Sequence, residues 1–245
     1  MSIFLIAVIS LCILLLSYSW FLLCAHSEET KLSILKKPAL PFLCLGFIGC
    51  IAAYFITPNI NDSVLPTTIC LPLVFFASAI LLWIGLKHLN NTILRILLIF
   101  AVSLLNVFML PADFSITENI LPWQLERICI ASLWSIFVIL YPNMNGLDGI
   151  LSTHALSLTV GILLLYIIGV LPALYGYYDC IFIALFISFN FFNRYPEVLR
   201  LNKTDTQIVG LLLGWLCVLA SFEGDSSCIL ILNMYYIYEI MSALF

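Results

Sequence analysis

Tyr141-Pro142-Asn143-Met144-Asn145-Gly146-Leu147-Asp148-Gly149 is a short polar break between two long apolar segments. Two asparagines, two glycines and an aspartate interrupt a pattern that otherwise suits hydrocarbon. Apolar runs of about 18 or more residues mark membrane helices, because a bilayer core about 30 Å thick takes about 20 residues rising 1.5 Å each. The break therefore reads as a loop at a membrane boundary, and the fold as helices on either side of it.

Composition extends this reading to the whole chain. Of 245 residues, 64% are hydrophobic and 9% charged, and the mean hydropathy is +1.17. Soluble domains carry about 25% charged residues. The spacing of apolar runs predicts spans at roughly 2–25, 40–57, 67–86, 93–110, 127–141, 150–172, 177–192, 207–222 and 228–244. The expected fold is all-α: a polytopic membrane helix bundle of about nine transmembrane helices, with residues 1–245 forming a single integral membrane domain. The run Ser2 to Ala25 lacks a basic leader and outlasts a signal-peptide core, so it reads as the first membrane helix. Pro58, Pro111, Pro122, Pro142 and Pro196 fall near span ends, whereas Pro72 and Pro172 are expected to kink their helices.

The net charge of −4, with only nine Lys and Arg, excludes a nucleic-acid surface. With alternating spans, Lys31, Lys36, Lys37, Lys87, Arg95, Arg194, Arg200 and Lys203 collect on one side and Arg127 alone on the other. The excess of basic residues marks the cytoplasmic side, which puts the N-terminus outside and the polar loops and C-terminus in the cytoplasm. The outer loops then hold Asp62, Asp113, Glu118, Glu126, Asp179, Glu223 and Asp225. Four polar stretches, near 26–38, 87–92, 141–149 and 193–207, should thus share one face. The nine cysteines lie in or beside apolar runs without Cys-x-x-Cys spacing, as small buried hydrophobes do.

Several residues on that face could carry chemistry. Asp148, between Gly146 and Gly149, is either an acid beside exposed backbone N–H groups or the N-cap of the helix that follows. Asn143 and Asn145 serve equally as turn residues or as neutral donors to a sugar or nucleotide. Lys203 and Asp205, in Asn202-Lys203-Thr204-Asp205-Thr206-Gln207, suggest an anion nest, or a helix start capped by Thr204 or Asp205. Lys87, beside His88, is either a phosphate ligand or a lysine reaching to lipid headgroups. His26 and His88 have no metal-ligand spacing, and His154 lies within a span. Hydrolase triads, phosphate-binding glycine loops and metalloprotease His pairs are missing from the sequence.

Pro142-Asn143-Met144-Asn145-Gly146-Leu147-Asp148-Gly149 resembles the Asn-x-x-Asp-Gly-x-Asp-Gly signature of MraY/WecA-type polyprenyl-phosphate sugar-1-phosphate transferases. Gly85-Leu86-Lys87-His88-Leu89 and Leu94-Arg95-Ile96-Leu97-Leu98 resemble that family's Gly-x-x-Asp-Asp loop and the Arg-Leu-Leu helix after it. Asn193-Arg194-Tyr195-Pro196, Asn202-Lys203-Thr204-Asp205-Thr206 and Gly210 follow the spacing of its Pro-Ala-Lys…Gly-Asp-x-Gly-Ser…Gly stretch. Lys36-Lys37-Pro38 sits where the family has its entry to the second span.

The resemblance implies a bacterial inner membrane enzyme of cell-envelope polysaccharide synthesis. Such an enzyme moves a phospho-sugar from a UDP-sugar to a polyprenyl phosphate in the bilayer, with magnesium. It would make Asp148 the surviving catalytic acid and Asn143, Asn145, Gly146, Gly149, Lys37, Lys87, His88, Lys203 and Asp205 the substrate-binding set. It also leaves room for homo- or hetero-oligomers.

The departures fall on the metal-binding positions. Lys87-His88 replaces the Asp-Asp pair, Lys203 the magnesium-binding Asp, and Asn145 the first Asp of the double motif; the 245 residues also stop short of the family's His-bearing loop. Magnesium binds through carboxylates and phosphate oxygens, so no protein metal ligands are expected here. The combined expectation is a divergent member with impaired or lost catalysis, whose Lys87 and Lys203 hold lipid phosphate directly. A non-catalytic polyprenyl-phosphate-binding or accessory protein is the alternative. A small transporter is a third, for which His154 and Glu239 are the mid-membrane candidates.

Overall fold

The structure, a computed structural model, describes residues 2–26, 38–57, 65–110, 122–146, 149–194 and 198–223. All regular structure among them is helical: α1 (Ser2–His26), α2 (Ala39–Ile56), α3 (Leu65–His88), α4 (Thr92–Phe108), α5 (Trp123–Leu140), α6 (Ile150–Ile167), α7 (Ala173–Asn193) and α8 (Lys203–Glu223). A short 3-10 helix, Tyr141–Gly146, continues α5. Seven of these helices are long and apolar enough to cross a membrane, and α4, at 17 residues, is the shorter apolar helix. The expected span at 228–244 lies outside the described residues.

Several boundaries differ from the hydropathy reading, each for a local reason. α5 takes in Trp123 to Glu126 because Pro122 occupies the N-cap position, where its missing N–H costs nothing. α6 stops at Ile167: Gly169 turns left-handed at φ 83°, and Val170 N–H donates to Leu165 O while Gly169 N–H donates to Tyr166 O. That paired closure satisfies the last carbonyls of the helix. Pro172 therefore does not kink a helix but starts α7, whereas Pro72 is inside α3 as expected. The same boundary moves Asp179 out of a loop and into the second turn of α7, where it is fully buried. Glu126 likewise belongs to α5 and is buried.

The core is aromatic. Phe42 of α2 packs between Phe21 of α1 and Phe186 and Phe189 of α7, and Phe75 of α3 stacks on Trp215 of α8 with ring centroids 4.4 Å apart. Ser17 donates to Ser188 across the α1–α7 contact at 2.6 Å. Along the strongest apolar window, 83% of α8 is buried but only 17% of α1, so α8 is the central helix and α1 a peripheral one. Arg127 donates to the carbonyls of Val107, in the last turn of α4, and of Leu110, just beyond it. The Arg127 charge is thus spent on carbonyls at a helix C-terminus.

The eight described cysteines are free. Cys12, Cys70 and Cys129 are exposed on helix surfaces rather than buried, on faces that a bilayer would cover.

Candidate anion-binding pocket

Helix α8 begins four residues earlier than its apolar run. Asn202 explains this: its Oδ1 accepts from the Asp205 backbone N–H at 2.8 Å, and its Nδ2 donates to Asp205 Oδ2 at 2.9 Å. This reciprocal cap, from Asn at the N-cap to an acid three residues on, lets a polar first turn fold as helix. The cap is Asn202, not Thr204 or Asp205. Asp205 is fully buried, and its other oxygen accepts the indole N–H of Trp83 at 2.8 Å. One carboxylate oxygen of Asp205 thus ties α3 to α8 through Trp83, and the other closes the cap with Asn202.

The end of α3, the start of α4 and the start of α8 enclose an open pocket of about 330 Å³. Its polar lining is Lys87, Asn90, Arg95, Asn202, Lys203 and Thr204, with Leu86 and Leu89 alongside. Three cationic side chains from three helices meet here. Lys87 Nζ sits 2.9 Å from the centroid of the Trp83 ring, a cation–π contact. Arg95 Nη2 donates to Thr204 Oγ1 at 3.2 Å and to Gln207 Oε1 at 3.3 Å, which fixes the guanidinium against α8. Its buried Nε makes no hydrogen bond in the structure. Lys203 is exposed at the rim. The first-turn amides of α8 add a partial positive charge to the same place. The lining is that of an anion site, with a rigid fork from Arg95 and two point charges from the lysines.

The sequence reading anticipated Lys87 and Lys203 but assigned no binding role to Arg95, Asn90 or Thr204. The signal for Arg95 was present: a basic residue one turn into α4 must face the same membrane boundary as Lys87. His88 is exposed and outside the pocket lining.

The 3-10 helix Tyr141–Gly146 packs on α8, where a Cβ on Gly210 would approach Tyr141 Cβ to 2.9 Å. Gly149 is the N-cap residue of α6 in the left-handed region, φ 80°, and a Cβ there would approach Arg194 Cα to 3.3 Å. This packs the start of α6 onto the end of α7, and Ser152 donates to Asn190 Oδ1 across the same junction at 2.7 Å. The N-cap position expected of Asp148 is therefore filled by Gly149, without a side-chain cap. Asn143 is exposed on the 3-10 helix. His154 is buried with Nδ1 3.4 Å from Tyr141 Oη, beneath that helix. The side chains of Asn145 and Gly146, and all of Asp148 and Lys37, lie outside the described residues.

The magnesium that the resemblance implies does not fit the described donors. Two ammonium groups and a guanidinium line the pocket with no carboxylate among its described lining residues, and the carboxylate of Asp205, in the first turn of α8, bonds Trp83 and Asn202. Among the described residues no three His, Cys, Asp or Glu converge as a metal-holding group. Compared with protein-family models and with curated proteins, the sequence matches none.

Proposed function

We propose that this protein binds a polyprenyl phosphate through the Lys87–Arg95–Lys203 pocket. In this reading it is a divergent relative of the sugar-1-phosphate transferases, with catalysis impaired or lost. The observation that carries it is the meeting of three cationic side chains from three helices at one end of an apolar bundle. A lipid-borne phosphate reaches such a site from the bilayer edge while its chain stays in hydrocarbon. The pocket faces the cytoplasm of a bacterial inner membrane, the side favoured by the basic residues around it.

A binding rather than a catalytic role is supported by the charge reversal. Cations occupy the positions where the resemblance implies metal-holding acids, so the phosphate is held by the protein directly. UDP-sugar, the donor that the resemblance implies, would have to be met by Asn143, Asn145 and Asp148. The test is twofold. Purified protein should bind undecaprenyl phosphate, with affinity lost in Lys203→Ala and Lys87→Ala. Radiolabelled UDP-sugar with undecaprenyl phosphate should give little or no product, with or without magnesium. Unchanged affinity in the lysine variants would overturn the binding site, and robust magnesium-dependent product would overturn the loss of catalysis.

A further inference from the structure

Lys87, Trp83 and Asp205 form a stack that the pocket itself does not require. The Lys87 ammonium lies over the ring face of Trp83, 2.9 Å from its centroid. The edge of the same ring donates its N–H to Asp205 Oδ1 at 2.8 Å, and the other carboxylate oxygen is held by Asn202. A carboxylate accepting from the indole N–H pushes electron density onto the ring, and a richer ring face holds a cation more firmly. The order is cation, ring, anion, and the ring is fixed in orientation by the Asn202 cap of α8. Lysine side chains have four rotatable bonds and lose considerable entropy when ordered. Here the ordering is done before any ligand arrives.

We propose that Trp83 and Asp205 are positioning residues that pre-set Lys87, whose ammonium is buried at the pocket wall, for the anion. This inference rests on the pocket reading of the preceding section. It also makes Trp83 an optical reporter, because an anion that draws the Lys87 charge changes the field on its ring.

The experiment is a double-mutant cycle on undecaprenyl phosphate binding to the full chain in nanodiscs, read by partition of the radiolabelled lipid. Trp83→Leu is expected to weaken binding about fivefold, within the range for a partly desolvated cation–π contact. In the Lys87→Met background the same substitution should cost nothing further. Asp205→Asn, which keeps an acceptor for the indole but removes the charge, should weaken binding by a smaller factor and only when Lys87 is present. Tryptophan emission should change on binding in the native protein, and that change should vanish in Trp83→Phe.

An equal loss in both backgrounds would assign Trp83 to folding alone and overturn the inference, while the pocket reading would stand if Arg95→Ala and Lys203→Ala still lose the lipid. Full binding by Trp83→Leu would also overturn it. Absence of binding by the native protein would overturn both.

Discussion

Arg95 is the best-fixed cation of the pocket, because Thr204 and Gln207 hold one end of its guanidinium. Its planar fork suits a phosphate in a way an ammonium cannot. Arg95→Ala is predicted to weaken undecaprenyl phosphate binding by about tenfold or more, as expected for a lost charge-assisted hydrogen bond. Arg95→Lys should recover only part of that loss; full recovery would show that charge alone matters.

Gly149 makes a separate prediction at this scale. With φ at 80° and Arg194 close by, Gly149→Ala should lower stability by about 1–2 kcal/mol, measured by thermal unfolding in detergent. Residue-level legibility was uneven. Lys87 and Lys203 were readable as candidates because their positions follow a spacing pattern, and both line the pocket. The structural part of Asp205, its bonds to Trp83 and Asn202, was not legible, since a sequence does not show which distant side chains an acid meets.

At the scale of elements, the start of α8 decides the shape of the pocket. Asn202→Ala removes the cap and should cost about 1 kcal/mol, the usual worth of such a cap. It should also weaken lipid binding, since Lys203 and Thr204 sit in the first turn. A destabilised variant with native affinity would separate the cap from the site. Hydropathy placed this start at 207, next to the apolar run that begins at Ile208. The Asn-x-x-Asp spacing at Asn202 and Asp205 was the signal for the earlier start, and it is a signal of hydrogen bonding rather than of hydrophobicity. Pro172 was misread for a similar reason. Its effect depends on whether the preceding glycine has already closed a helix, and Gly169 has.

At the scale of the molecule, the helical class and most spans were legible, because bilayer length and composition constrain them strongly. Seven described helices meet that standard. Of the polar stretches expected to share a face, residues 87–95 and the start of α8 line one pocket, whereas 27–37, 147–148 and 195–197 lie outside the described residues. Cavity shape was not legible, because it depends on which long side chains from distant segments touch.

An open cationic pocket should respond to salt. Raising ionic strength from about 0.05 M to about 0.5 M shortens the screening length, so phosphate binding should weaken while helix content stays constant. Binding that is insensitive to salt would point to the hydrocarbon chain as the whole source of affinity.

The most direct measurement is equilibrium binding of radiolabelled undecaprenyl phosphate to the nanodisc-embedded protein, compared between the native chain and Arg95→Ala/Lys203→Ala. The account predicts saturable binding by the native chain and a loss in the double variant larger than the roughly tenfold loss of Arg95→Ala alone. Equal binding by both proteins would contradict it.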